Sequence, residues 1–415
     1  MRGRRLLDVL GTDPLVFRRA GVNRTDLVSA DIRLGTGASF GVTPSTAAIT
    51  VPGTAGHIEA NDGLWDAIVW INHPARLVLA DLAGEPEPSE IPLHRLIYGR
   101  IDSATVIDAH RDYDTRTTFD LADELSLLNL VGDEDITITL DLVGALSVIF
   151  MHDYISSSVG AAGPQLDLKP GTAKASAIID MVAASAAQLT TAKDAQYGGA
   201  QLVTHARRVW LSEQWHNLDI KPRLARKHVL SPIEWTQQNA MGVRLVQTYT
   251  DSNGDPAVQN ISVGESFRPR RRIESDVQLA HHTMQSVLAA AGLAIARTEA
   301  AHQPIVRQVT IPVRTLLESK HAPDRTAAAR LALYTYPNTI LGLGLDWPAN
   351  VRGVYFVTSV QHQITADDWR VTLTLAPHMQ VVGTAADYDP QPATWEDLGS
   401  MEWADLQAAW NALEA

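Results

Sequence analysis

The stretch Asp251-Ser252-Asn253-Gly254-Asp255 spaces three oxygen-bearing side chains at alternate positions, as a calcium loop does. An EF-hand loop needs glycine at its sixth position and glutamate at its twelfth. Here Gly254 is fourth and position twelve is Ser262, so the pattern predicts a hairpin turn. The 14 histidines are scattered. His281 and His282 are adjacent in a predicted helix, where neighbours diverge by about 100° and cannot share one ion. His205 and His216 lack a supporting carboxylate pattern, and there is no His-Glu-x-x-His; no metal site is expected. Nucleophilic catalysis of the elbow type requires Gly-x-Ser-x-Gly, which the chain lacks. Ser156–Gly163 is a small-residue linker. No Gly-rich phosphate loop occurs, and Gly342-Leu343-Gly344-Leu345 predicts close backbone approach, with no helix following it. Asp367-Asp368 sits in a polar turn, where solvation is the expected role. With no cysteine, thiolate chemistry and disulfides are ruled out. No cofactor, catalytic residue or enzymatic activity is expected.

Two clusters remain. Arg268, Arg270, Arg271 and Arg272 fall within five residues of a chain whose net charge is −13. Such a run can touch phosphate or acidic protein surface. In a net-acidic chain the second reading is favoured, as an intersubunit or solvated patch. Trp395, Trp403 and Trp410 lie in the final segment, where Trp-x-Asp-Leu occurs twice, ending at Leu398 and Leu406. Ser400 is a predicted N-cap for a helix to about Leu413, on which Trp403, Leu406 and Trp410 form one stripe. A segment that short needs a partner surface, in its own domain or on another protein.

The elements that must position these residues are mainly strands. At 415 residues, 45% apolar and 20% charged, the chain has room for two or three globular domains. Between about residues 27 and 142, short β-rich runs alternate with turn residues: LVSADIRLG, STAAITVPG, AIVWINH, RLVLADLAG, LHRLIYGRIDSATVIDAH, TRTTFDL and ITITLDL. Helices are predicted over 171–195, from Ser275 as N-cap through 302, and at DRTAAARLALY (324–334). A hairpin is predicted around 251–255, and a closing strand pair at 353–364 and 369–377. Tyr98–Val106 and Gly353–Val360 echo each other, each an apolar strand with a serine before its second half.

The resulting fold expectation is mainly β (α+β), with two antiparallel barrel-like domains, helical insertions and a short C-terminal amphipathic helix. The predicted boundaries are an arm at 1–22, a first β domain at 23–150 and a helical insertion at 151–230. A hairpin plus helix follows at 231–302, a second β region at 303–385, and an acidic linker with the Trp-rich helix at 386–415. The opening MRGRRLLDVLG is too short in apolar residues for a signal peptide, so synthesis in the cytoplasm without export is expected. No run approaches the length of a membrane span. The acidic balance argues against nucleic-acid coating and gives no reason to expect sequence-specific nucleic-acid binding.

Three stretches carry a resemblance: LVSADIRLGTGASFGVTPSTAAITVPG, LIYGRIDSATV and VRGVYFVTSVQHQITADDWRVTLTLAPH. Together with the duplicated Trp-x-Asp-Leu, they resemble the minor tail proteins, or baseplate hubs, of siphophages infecting actinobacteria. The resemblance implies a non-enzymatic virion protein at the tail tip, forming a homotrimer with two similar barrels per subunit. It further implies mating with a hexameric distal tail protein above, attachment of other tip or receptor-binding proteins below, and a channel for exiting DNA. The competing expectations are a cell-wall carbohydrate-binding or hydrolase module, and a distal tail protein.

Overall fold

The computed structural model describes residues 5–19, 21–35, 41–53, 66–84, 95–107, 115–123, 125, 155–157, 165–166, 187–191, 200–204, 234–238, 243–251, 253–263, 271–280, 305–337, 340–343 and 353–377. Its centre is a twelve-stranded sheet. The N-terminal strands are β1 (Leu15–Arg19), β2 (Val22–Arg24), β3 (Ser29–Leu34), β5 (Thr46–Pro52), β6 (Asp66–Ile71), β7 (Arg95–Ile107) and β8 (Arg116–Ala122). The later strands are β13 (Glu234–Gln238), β17 (Ile305–Pro312), β18 (Ile340–Leu343), β19 (Gly353–Thr365) and β20 (Trp369–Pro377). Their order is β13-β17-β20-β19-β3-β5-β8-β7-β6-β1-β2, with β18 beside β19. Every pairing in this sheet is antiparallel. The path is open among the described residues, so the structure bears out a mainly antiparallel β fold with a few helices and leaves barrel closure unshown.

Two smaller sheets hold the remaining described strands. One contains β4 (Gly41–Thr43), β9 (Ile155–Ser157), β11 (Ala187–Thr191) and β12 (Ala200–Thr204). The other contains β10 (Gln165–Leu166), β14 (Val243–Thr250), β15 (Pro256–Val263) and β16 (Arg271–Ala280). The β14–β15 hairpin is the one expected from Asp251–Asp255. Asp251 Oδ1 accepts the backbone N–H groups of Asn253 and Asp255 at 2.8 and 2.9 Å, which closes the turn. These bonds hold the Asp251 carboxyl below the usual carboxylate range, the Asp255 N–H contributing most.

Three expectations are corrected. RLVLADLAG, read as a strand, belongs to helix α2 (His73–Ala83). Pro74 sits in its first turn, Gly84 ends it at φ 72°, and Ala75, Leu79 and Ala83 fall on one buried face. A helical spacing therefore hid inside a run of strand-forming residues. The helix expected from Ser275 is extended over Ser275–Ala280, where β16 lies parallel to β14 and antiparallel to β10. Two neighbouring strands supply the backbone partners, and this tertiary pairing overrides helical propensity. The helix expected over 171–195 meets a strand at Ala187–Thr191 for the same reason, since β11 pairs with both β12 and β4. Within 151–230 the described segments are all strands. The remainder of both predicted helices, ITITLDL and His281–His282 lie outside the described residues. The helix expected at DRTAAARLALY is present as part of Ala322–Tyr334, and the closing pair is β19–β20.

The core of the main sheet is continuous. Ile32, Ile49, Phe119 and Leu121 from the N-terminal strands join Val309, Val357, Leu373 and Leu375 from the later ones in a single buried cluster. Helices α1 (Leu6–Leu10), α2, α3 (Val313–Leu317) and α4 (Ala322–Tyr334) add residues to it, among them Leu10, Leu79, Leu316 and Leu333. Thr326 Oγ1 of α4 donates to the Leu82 carbonyl of α2 at 3.0 Å, tying helices that lie more than 200 residues apart in sequence. None of the helices among the described residues is long and apolar enough to cross a membrane.

The strand order contains a repeat. Reading along the sheet, β13-β17-β20-β19 is followed by β3-β5-β8-β7, and each block ends on a strand that also pairs with a partner of its own, β18 or β6. The connectivity is identical: β3, β5, β6, β7, β8 in chain order match β13, β17, β18, β19, β20. The registers superimpose except past Thr236, where β13 shifts against β17 and β3 does not shift against β5. Thr50 faces Thr118 in one block and Thr310 faces Thr372 in the other. Their hydroxyls are hydrogen-bonded at 2.9 and 3.2 Å. Pro52 faces Arg116, and Pro312 faces Arg370. Ile49-Thr50-Val51-Pro52 matches Val309-Thr310-Ile311-Pro312, and RTTFDLA (116–122) matches RVTLTLA (370–376).

Candidate functional site

Each long strand, β7 and β19, carries a β-bulge at the matching place. The register shifts between Ile101 and Ser103 in the first and between Val357 and Ser359 in the second, leaving Asp102 and Thr358 as the extra residues. The serine after each bulge bonds the residue opposite it: Ser103 Oγ donates to Asp120 Oδ2 at 2.5 Å, and Ser359 Oγ donates to Thr374 Oγ1 at 2.9 Å. This is the echo seen in the sequence, now with a physical meaning. A bulge bends its strand, so one half can follow one neighbour and the other half another. In β19 the first half, Gly353–Phe356, pairs with β18. The second half, Val360–Thr365, pairs with Ser29–Leu34 of β3 and so joins the two blocks.

That junction is tightly built. Val360, His362 and Ile364 are buried on one face. Trp369 Nε1–H donates to His362 Nδ1 at 3.4 Å, and Trp369 is itself fully buried. On the other face Gln361 Nε2 donates to both carboxylate oxygens of Asp31, at 2.8 and 3.1 Å. Gly35, at φ 72°, lets β3 end against the bulge, because a Cβ there would lie 2.8 Å from the Thr358 carbonyl oxygen. In the N-terminal block the tight approach falls at Gly99, where a Cβ would run into the Ala122 carbonyl oxygen. Asp123 locks this corner: its Oδ2 accepts the Ser45 N–H at 2.6 Å and its Oδ1 the Leu125 N–H at 3.1 Å, with the residue 1% exposed.

The titratable clusters among the described residues are engaged in local structural contacts. Ser319, His321 and Asp324 meet where α3 passes into α4, but Ser319 Oγ donates to Asp324 Oδ2 at 2.7 Å and accepts the His321 backbone N–H at 3.1 Å. The imidazole lies 3.6 Å from Asp324 Oδ1, so the carboxylate stands between the two groups and the hydroxyl is given to it rather than to the imidazole. Asp324 is the third residue of α4, and the cluster closes that helix's entry. Arg24 and Asp26 form a short pair at 2.8 Å, and this hydrogen bond chiefly holds the Asp26 carboxyl below its usual range. Asp368 accepts from Arg370 at 2.8 Å, while Arg314 donates to the Asp367 carbonyl, so the predicted polar turn is engaged with neighbouring arginines. Among the described residues no group of three His, Asp or Glu side chains could hold a metal ion.

The residues singled out for interaction fall in different places. Arg271 and Arg272 open β16, opposite Val243 and Arg244 of β14. Arg268, Arg270 and the tail residues Trp395, Leu398, Trp403, Leu406 and Trp410 lie outside the described residues. Trp70 and Trp369, two tryptophans of the main sheet, are buried rather than displayed. What the sequence reading missed is an edge. Ser103–Ile107, the second half of β7, pairs with β8 on one side and, among the described residues, with no strand on the other. Val106 and Ile107 there are 38% and 59% exposed. The visible signal was the apolar Val-Ile pair on the far side of a serine that also marks a bulge in β19.

No protein-family model matches the sequence, and no curated protein is similar to it in sequence. Solved structures are similar in fold. A tail protein from Neisseria meningitidis MC58 has a TM-score of 0.55 at 10% identity, covering 88% of this chain and 96% of that one. The 43 kDa tail protein of prophage MuSo2 from Shewanella oneidensis has a TM-score of 0.52 at 10% identity, covering 88% of this chain and 98% of that one. The E. coli c3393 protein, a type VI secretion component described as structurally similar to the T4 bacteriophage tail proteins gp27 and gp5, has a TM-score of 0.52 at 11% identity, covering 88% of this chain and 77% of that one. The chain has the fold of these tail proteins over most of its length.

Proposed function

We propose that this chain is a structural, non-enzymatic protein of a phage tail tip. In this reading it is a baseplate hub that joins a hexameric distal tail protein to tip or receptor-binding proteins around the DNA exit channel. The observation that supports it most is the tandem repeat within one sheet. Two equivalent blocks per chain would let three chains present six similar units, which is what a three-fold hub needs to meet a six-fold neighbour. The fold shared with tail proteins of two other bacterial sources points the same way. Curvature at the bulged strands would allow each block to be barrel-like in the assembly. An infecting particle of the siphophage type, with an actinobacterial host, rests on the sequence resemblance.

The Trp395–Trp410 segment is proposed as an anchor against an adjacent subunit or tip protein, since buried tryptophan is favoured at such contacts. Arg268 to Arg272 are proposed as a second contact, to acidic protein surface. Deleting 390–415 is expected to abolish incorporation into particles while leaving the unfolding midpoint of the isolated chain unchanged. A variant that still incorporates but is less stable would place the segment on its own domain. The test of the function itself is immunogold labelling of the virion. Label at the tail tip supports the hub. Label along the tube or on the head, or the absence of label from particles, overturns it. Glycan affinity of a monomeric chain would favour a cell-wall carbohydrate module instead.

A further inference from the structure

The two blocks of the main sheet are equivalent, but their edges are used differently. The last long strand of one block, β19, hands its second half to β3, the first strand of the other. The last long strand of that other block, β7, leaves Ser103–Ile107 with β8 on one side and no strand on the other among the described residues. At the far end of the same sheet, β13 pairs among the described residues with β17 alone. Among the described residues, the run of repeated blocks thus starts on a first-position strand with no strand before it and ends on a fourth-position half-strand with none after it.

We infer that Ser103–Ile107 of β7 takes the outer edge of β13, Glu234–Gln238, from a second copy of this chain, repeating between chains the β19–β3 junction found within one. This rests on the proposed reading of a self-assembling tail-tip hub and names the surface by which its subunits meet. The register follows from the repeat. Ile107 stands four residues after Ser103, as Gln363 stands four after Ser359. Thr236 faces Gln308, as Asp31 faces Ala48, and these occupy the same row of their blocks. Gln363 faces Asp31, so Ile107 faces Thr236 of the second copy, antiparallel. Three further observations favour this occupant. An unpaired edge is a template for strand addition. Val106 is 38% exposed at that edge, where its counterpart His362 of β19 is fully buried, and Ile107, 59% exposed, puts apolar surface where its counterpart is the polar Gln363. Finally, the two free edges belong to different surfaces, so the contact is head-to-tail and generates a ring when its rotation closes.

The chain contains no cysteine, which makes the test clean. Full-length Ile107→Cys and Thr236→Cys variants are purified separately, mixed, allowed to reassemble and oxidised. The expected product is a disulfide-linked dimer of one variant with the other, at least ten-fold more abundant than with Val258→Cys as the partner, a residue 57% exposed in a different sheet. The double variant is expected to form linked species up to the size of the native assembly. Ile107→Lys is expected to weaken assembly at least ten-fold, with its circular dichroism and unfolding midpoint unchanged. An oligomeric chain whose mixed variants do not link, or an Ile107→Cys chain that links only to itself, overturns the assigned edge and leaves the hub reading standing. A double variant that links only within one chain shows that the sheet closes on itself and overturns the inference as well. A monomeric chain at all concentrations overturns both.

Discussion

The second halves of β7 and β19 are the same element in two settings. Both follow a bulge and a hydrogen-bonded serine, and both run antiparallel to a strand ending in Leu-x-Leu-Ala or its close variant. In β19 this half-strand is paired on both sides and buries Val360, His362 and Ile364; in β7 the described residues pair it on one side, and Val106, the counterpart of His362, is 38% exposed. Strand formation is therefore set locally, by the bulge and the hairpin partner, whereas burial is set by which neighbour arrives. Among the described residues, the duplicated block has this neighbour in one copy only.

Substitutions at equivalent positions sharpen this comparison. The largest effect is expected at Trp369, which fills the junction side of the later block where the N-terminal block has Thr115. Trp369→Ala should cost about 3–5 kcal/mol, while Thr115→Ala should cost about 1 kcal/mol, both read by urea unfolding. Next is Gly99→Ala, expected to cost about 1–3 kcal/mol, because the added carbon meets backbone that cannot move aside cheaply. Its equivalent in β19 is Tyr355, where a full side chain is accommodated and Tyr355 Oη accepts the Val306 N–H at 3.4 Å. The matched pair Thr50→Val and Thr310→Val should cost about 1 kcal/mol each and add when combined, since each removes one hydroxyl bond in its own block. Unequal or non-additive losses would show that the blocks are not equivalent in energy.

The smallest effect is pH-dependent. Burial pushes the Tyr355 hydroxyl above its ordinary value near 10, against a smaller opposing effect from the Val306 hydrogen bond. The unfolded chain then releases this proton at a lower pH than the folded chain. The stabilisation is fully present below the unfolded value and is lost as pH rises towards the folded one. Tyr355→Phe should remove that part of the alkaline decline in melting temperature, leaving the slope between pH 7 and 9 unchanged.

Much of this fold was legible from short-range signals. The Asp251–Asp255 turn, the β19–β20 hairpin and α4 all follow from turn chemistry or helical spacing that acts within a few residues. The failures are of two kinds. In α2 the residues Arg76–Leu82 form strands and helices about equally well, and the decision lies with Pro74, Gly84 and the core beneath. At Ser275–Ala280 and Ala187–Thr191 helical propensity lost to strands contributed from far away in sequence, which no local pattern reports. The repeat was visible as one serine in two strands. Its better marks, Thr-x-Pro at 50–52 and 310–312 and the Thr–Thr pairs, needed the register to align them. The interaction surface was harder still, because an edge is defined by a neighbour that is missing.

The tandem blocks are proposed to serve a closed assembly of this chain. Native mass spectrometry of the purified full-length protein tests this most directly: a trimer is expected as the dominant species, and a monomer or a hexamer would contradict it.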